Sequence, residues 1–141
     1  MTEAGEVFER VFLLIREFEL AFREQGDVDL STTQFQALAI LADVEPVTAM
    51  AMAGLLRIAG PTATRTVDSL ERRGLVLKER DPQDRRVVWI RLTKDGRQVL
   101  EQQRERQRVW MQRLLQALSP EEQETLNQIL HKLGVQAALL S

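Results

Sequence analysis

The chain has 141 residues, 44% hydrophobic and 28% charged, with a formal net charge of −2; this length suits one compact domain, and this balance belongs to globular rather than disordered or membrane-spanning chains. It has no cysteine and a single histidine, His131, which excludes disulfides, a thiol switch, a zinc cluster built within one chain and a histidine-based catalytic pair. No apolar run reaches membrane-spanning length, and the start MTEAGEVFER lacks the basic flank and apolar core of a signal peptide, so a cytoplasmic location with no membrane partner is expected.

In chain order, Val7, Phe8, Val11, Phe12, Leu14, Ile15, Phe18 and Phe22 recur at three- and four-residue steps, the stripe of an amphipathic helix. Gly26 and the stretch DVDL are expected to end it. Ser31 with Thr32 offers a cap for a second helix carrying Phe35, Leu38, Ile40 and Leu41, which Asp43 to Val47, with Pro46, breaks. Thr48 caps a short helix, rich in alanine, methionine and leucine, that runs to Leu56. After Arg57 to Gly60, Pro61 fits the first position of the next helix, Val67 and Leu70 face inward, and Gly74 fits its stop. Two short helices joined by a tight turn make a helix-turn-helix candidate.

Leu75 to Arg80 and Arg86 to Leu92 read as two β-strands separated by DPQDR, a hairpin with a charged tip. Thr93 can cap a long helix from Lys94 towards Ala117, with Val99, Leu100, Val109, Trp110, Leu114 and Leu115 on its apolar side. Ser119, Pro120 and Glu122 then reproduce the start pattern of a last helix reaching about Leu140.

Charge is unevenly placed along these elements. From Arg57 to Arg97 there are eleven basic and six acidic residues, a local +5 that leaves −7 for the rest of the chain. A basic middle between acidic ends is the electrostatic footprint of a phosphate-bearing partner, although solvated helix faces have the same composition.

In its order of helix, helix, helix-turn-helix, hairpin, long helix and final helix, the chain resembles the MarR (multiple antibiotic resistance regulator) family. The segments RTVDSLERRGLV (Arg65 to Val76), DPQDRR (Asp81 to Arg86) and LTKDG (Leu92 to Gly96) carry the likeness, which covers nearly the whole chain. The resemblance implies one mainly α domain over residues 1–141, with a winged helix-turn-helix at 32–93 and a helical dimerisation part at 1–26 and 94–141. Members commonly have glycine in the turn where Arg57 stands. The reactive cysteine of the peroxide-sensing branch is absent.

A recognition helix needs short side chains near its start and a donor long enough to reach base edges, a description that Pro61, Thr62, Thr64 and Arg65 meet. By resemblance, Arg65 is the first choice for base or phosphate contact; the competing reading pairs it with Asp68 or Ser69 on its own helix. A hairpin can place Arg85 and Arg86 beside or inside a minor groove, Arg86 foremost. In the family pattern Asp84 orients a wing or recognition-helix arginine, the competing reading being a simple turn residue. Thr32, Thr33 and Arg57 are candidates for flanking phosphates.

The family usually dimerises through its first and last two helices, for which Phe8, Phe12, Ile15, Leu126, Ile129, Leu130, Leu133 and Leu139 supply apolar surface; packing within one chain is the alternative. Members often bind small aromatic or phenolic acids, and Arg16, Phe18, Phe22, Phe35 and Trp110 are the residues that would line such a cleft. The expected function is therefore a homodimeric regulator, a repressor by preference, acting on a pseudo-palindrome in double-stranded DNA. The alternative is a winged-helix adaptor that binds protein. No cofactor or metal is expected, and no nucleophile-base pair or phosphate loop suggests an enzyme.

Overall fold

Four helices begin where a side chain can take up amide groups that the first turn leaves open. In the computed structural model, which describes residues 3–23 and 30–140, Ser31 caps α2 (Thr32–Val44) through a reciprocal box: its hydroxyl accepts from the Gln34 amide, and Gln34 Oε1 accepts from the Ser31 amide. Thr48 caps α3 (Ala49–Leu56) by accepting from the Ala51 amide. Thr93 does the same for Gly96 at the start of α5 (Lys94–Leu115), and Ser119 with Glu122 forms a second reciprocal box on α6 (Pro120–Leu140). The first helix, α1, spans Glu3–Arg23; its expected stop at residues 26–29 lies outside the described residues.

The remaining helix, α4, spans Gly60–Arg72, one residue earlier than Pro61 suggests. Ala59 precedes it in an extended conformation and makes no side-chain cap. Gly60, free of a Cβ, tolerates the helical conformation that a following proline discourages. Gly74 stops α4 at φ 74°, its amide donating to the Glu71 carbonyl and that of Leu75 to the Leu70 carbonyl, the paired bonds of a left-handed helix stop.

The turn before α4 repeats this geometry without glycine. Arg57 sits at φ 56°, ψ 46°, its amide donating to Gly54 and the Ile58 amide to Ala53 at 3.0 Å. A residue with a Cβ adopts this conformation at a cost of about 1 kcal/mol, and the two returned hydrogen bonds offset it. The helix-turn-helix thus keeps a glycine-type turn on an arginine.

The hairpin is antiparallel, β1 (Val76–Arg80) against β2 (Val88–Leu92), with Val76 opposite Leu92 and Arg80 opposite Val88. Both strands are shorter than the sequence suggests. The Leu75 amide is engaged in the α4 stop, while the Arg86 amide donates to Asp84 Oδ1 and the Val87 amide to the Asp84 carbonyl, so these amides are turned away from the ladder. Val47 adds an isolated antiparallel bridge to β2 by exchanging two backbone bonds with Ile90. Similarly, α5 ends at Leu115 rather than near Ala117, because the Ala117 and Leu118 amides turn back to Leu114 and Leu115.

The core gathers Leu38 and Leu41 of α2, Met52 of α3, Val67 and Leu70 of α4, Ile90 of β2 and Leu100 of α5. Burying each such side chain contributes about 1.5 to 3 kcal/mol, so the three short helices and the hairpin hold one another in place. Two polar ties join the hairpin base to its neighbours. Glu45 accepts from the Leu92 amide and pairs with Arg97, while Thr93 donates its hydroxyl to the Gly74 carbonyl.

The described residues form two compact units that part between Gln103 and Arg104. Within the second, α6 has no buried residue. Among the described residues no helix is long and apolar enough to cross a membrane.

Candidate nucleic-acid interface

The inward positions of α4, Ala63, Thr66, Val67 and Leu70, are buried. Helical periodicity therefore turns Pro61, Thr64 and Arg65 to solvent, with Thr62 half-buried beside them. The side chains exposed near the N-terminal end are thus short ones and one long donor. The Arg65 guanidinium donates to Thr62 Oγ1 at 3.3 Å, one turn back on its own helix.

The two partners that could have absorbed Arg65 are engaged elsewhere. Asp68 pairs with Lys78 of β1, and Ser69 Oγ accepts from Gln34 Nε2 at 2.9 Å. Among the described residues Arg65 meets no carboxylate within ion-pair range. Lys78 also lies 3.6 Å from Glu71. The Asp68 hydrogen bond, foremost, raises the Lys78 ammonium above its ordinary value, and this bridge ties β1 to α4. Gln34 extends the frame from α2, its Oε1 accepting from Arg73 at 3.4 Å.

At the wing tip, two aspartates organise the backbone. Asp81 Oδ1 accepts the Gln83 and Asp84 amides at 2.8 and 2.9 Å, while its Oδ2 accepts Trp89 Nε1–H at 2.9 Å. Asp84 Oδ1 accepts Nε of Arg86 at 3.0 Å and Oδ2 accepts its Nη2 at 3.2 Å, a two-pronged charge-assisted contact. The Arg86 side chain nevertheless remains 91% exposed. Arg80 Nη1 donates to the Arg85 carbonyl at 2.8 Å, and Arg85 itself is exposed.

Both aspartates are held below their ordinary carboxylate value of 3.8, Asp81 chiefly by the Trp89 indole and Asp84 chiefly by the Arg86 side chain. A depressed folded pKa stabilises the tip above the ordinary value and is lost as pH falls through the lower folded one. With Trp110→Phe leaving Trp89 as sole reporter, indole emission is expected to change in an acid transition whose midpoint lies below 3.8. Asp81→Asn should abolish that step. A midpoint at or above 3.8 would contradict the clasp.

The other sequence candidates are distributed more widely. Thr32 is exposed and Thr33 half-buried in the first turn of α2, and Arg57 is exposed in the turn before α4. Phe18 and Phe22 stack at a tilt on α1 with centroids 4.7 Å apart, and Arg16 is exposed on the same helix. Phe35 packs against the core from α2. Trp110 is half-buried in the second unit, whereas the other four belong to the first.

Phe8, Phe12 and Ile15 are 51 to 70% exposed on α1, and Ile129, Leu130, Leu133 and Leu139 are 49 to 75% exposed on α6, with Leu126 half-buried. Asp81 as organiser, Trp89, Lys78 and Gln34 were missed as parts of this site by sequence reasoning. Only Gln34 has a local signal, three residues after Ser31 in a capping-box pattern.

The chain matches the MarR family model over residues 30–88. The HTH-type transcriptional regulator YkoM of Bacillus subtilis is 30% identical over 129 residues, covering 92% of this chain and 82% of that protein. A solved MarR family protein from Bacillus stearothermophilus shares 27% identity and a TM-score of 0.84, over 98% of this chain and 99% of that one. Streptococcus pneumoniae FabT, solved in complex with DNA, has the same fold at 24% identity and a TM-score of 0.76, over 98% and 94% of the two chains.

Proposed function

This chain belongs to the MarR family of winged-helix transcriptional regulators, and we propose that it represses transcription as a homodimer on a pseudo-palindromic operator. Each α4 enters a major groove, with half-site centres about one helical turn apart, and each wing lays Arg86 along the adjacent minor groove. In this reading residues 32–93 are the DNA-reading part, and the helices of 1–26 and 94–141 form the dimer. The observation that carries it is the pairing of an exposed α4 start, whose Arg65 meets no carboxylate among the described residues, with a wing arginine that is both held by Asp84 and 91% exposed. Fluorescence anisotropy on the DNA upstream of its own coding region should give tight, salt-sensitive binding that scrambled DNA of equal length does not match. Equal affinity for both would overturn the assignment.

The dimer proposal is supported by the apolar faces of α1 and α6. Leu130 and Leu133 are 56% and 57% exposed, more than isolated surface leucines need explain. The wild type should sediment at twice the 16.2 kDa protomer mass. Leu133→Glu should sediment at the protomer mass, keep its helical content, and lose on the order of 100-fold in operator affinity as two linked half-site contacts become one. A wild type that sediments as a protomer would contradict this proposal.

The proposed effector is a small aromatic or phenolic acid, supported by the Phe18–Phe22 pair and by Arg16 on the same helix. Calorimetric titration with a panel of phenolic acids should give binding heat together with weakened operator binding. Neither effect across the panel would remove the effector from the account.

A further inference from the structure

Trp89 lies on β2 opposite Glu79, with its indole half-buried, and neither the core nor the expected DNA contacts account for it. Its indole reaches the wing tip, where Nε1–H donates to Asp81 Oδ2 at 2.9 Å. The other oxygen of that carboxylate holds the Gln83 and Asp84 amides, so one group joins a strand side chain to the backbone of the turn. Asp84, placed by this turn, accepts from the Arg86 amide at 3.1 Å and grips its guanidinium through Oδ1 and Oδ2.

We propose that Trp89 is a positioning residue for DNA binding, setting the wing-tip arginine Arg86 through Asp81 and Asp84 without touching DNA itself. The proposal rests on the minor-groove reading of Arg86. An arginine side chain loses rotamer freedom when it docks, and a tip whose backbone and guanidinium are already held loses less at that moment. The indole N–H is the distal end of the relay. Removing it leaves Asp81 with the two backbone amides but takes away the link from its carboxylate to β2.

Trp89→Phe keeps an aromatic ring on the strand and deletes only the donor, so a double-mutant cycle with Arg86→Ala separates positioning from general packing. Affinity for one operator duplex is read by anisotropy at several salt concentrations, and the melting temperature of each variant is read alongside. Trp89→Phe is expected to weaken binding about 3- to 10-fold in the wild-type background, and less than about 2-fold in the Arg86→Ala background. Its salt slope should match that of the wild type, because no phosphate contact is removed. Asp81→Asn, which breaks the same relay from the tip side, should show the same non-additivity.

Equal losses in the two backgrounds, or none in either, would overturn the positioning role. If Arg86→Ala itself leaves affinity unchanged, the minor-groove reading fails and this proposal fails with it. A weakened Arg86→Ala with an additive Trp89→Phe overturns the positioning role alone.

Discussion

Arg65→Ala is expected to lower affinity for the specific operator about 10- to 100-fold while leaving binding to unrelated DNA nearly intact. Arg65 is exposed in the first half of α4, and its guanidinium donates to the Thr62 hydroxyl at 3.3 Å. That neutral tie, one turn long, aims the side chain without neutralising it, because Asp68 is drawn off by Lys78. A two-pronged contact to guanine contributes about 1 to 3 kcal/mol of discrimination, which sets the expected range. Arg65→Lys should keep the salt slope and lose most of the discrimination, since an ammonium lacks the planar fork. Being exposed, the position should shift stability by no more than about 0.5 kcal/mol, so a loss of binding cannot be traced to unfolding. Equal loss on specific and unrelated DNA would make Arg65 a phosphate contact instead.

The second large effect falls on stability. A Cβ at Gly96 would lie 2.1 Å from the Leu75 carbonyl oxygen and 2.9 Å from Leu92 Cδ1. Leu75 is held in turn by the α4 stop and by the Thr93 amide, which donates to that same carbonyl at 3.1 Å. The obstacle is therefore pinned backbone, not the movable end of a side chain. Gly96→Ala should cost about 1 to 3 kcal/mol even though alanine is the better helix former, seen as a melting temperature lowered by several degrees. Gly134→Ala is the control: it lies in α6 with nothing within 4 Å of an added Cβ. There the same change should be neutral or stabilise by up to about 1 kcal/mol. A Gly96→Ala protein that melts with the wild type would mean that α5 does not approach Leu75 this closely.

What the residues disclose by themselves follows the range of the interactions involved. Ser31, Thr48, Thr93 and Ser119 mark helix starts because each cap bonds an amide three residues on, a distance that a sequence displays. Ala59 has no such bond, and the start of α4 was placed one residue late at Pro61. Arg57 in a left-handed turn carries no mark of its own residue type, since its conformation goes with the backbone bonds that it and Ile58 return to α3. Arg65, Asp84 and Arg86 were named from the segments that resemble the MarR family. Around them, Lys78 meets Asp68 ten residues away, Gln34 meets Ser69 across 35, and Arg97 meets Glu45 across 52. Such ties exist only once the helices and hairpin have assembled, so no spacing rule announces them.

These ties also explain how an acidic protein can present the proposed DNA-binding face. The net charge of −2 is a sum over the whole chain, whereas Asp68, Asp81 and Asp84 are acids spent on holding Lys78, Trp89 and Arg86. Acids that lie within the basic stretch thereby serve as its framework.

The most direct test of the central claim is selection of bound sequences from random duplex DNA by the full-length protein. The expected result is recovery of a pseudo-palindrome whose half-sites stand about one helical turn apart, with base preferences at the positions facing Arg65 that vanish when Arg65→Ala is selected in parallel. Recovery of unrelated sequences with no shared half-site would contradict it.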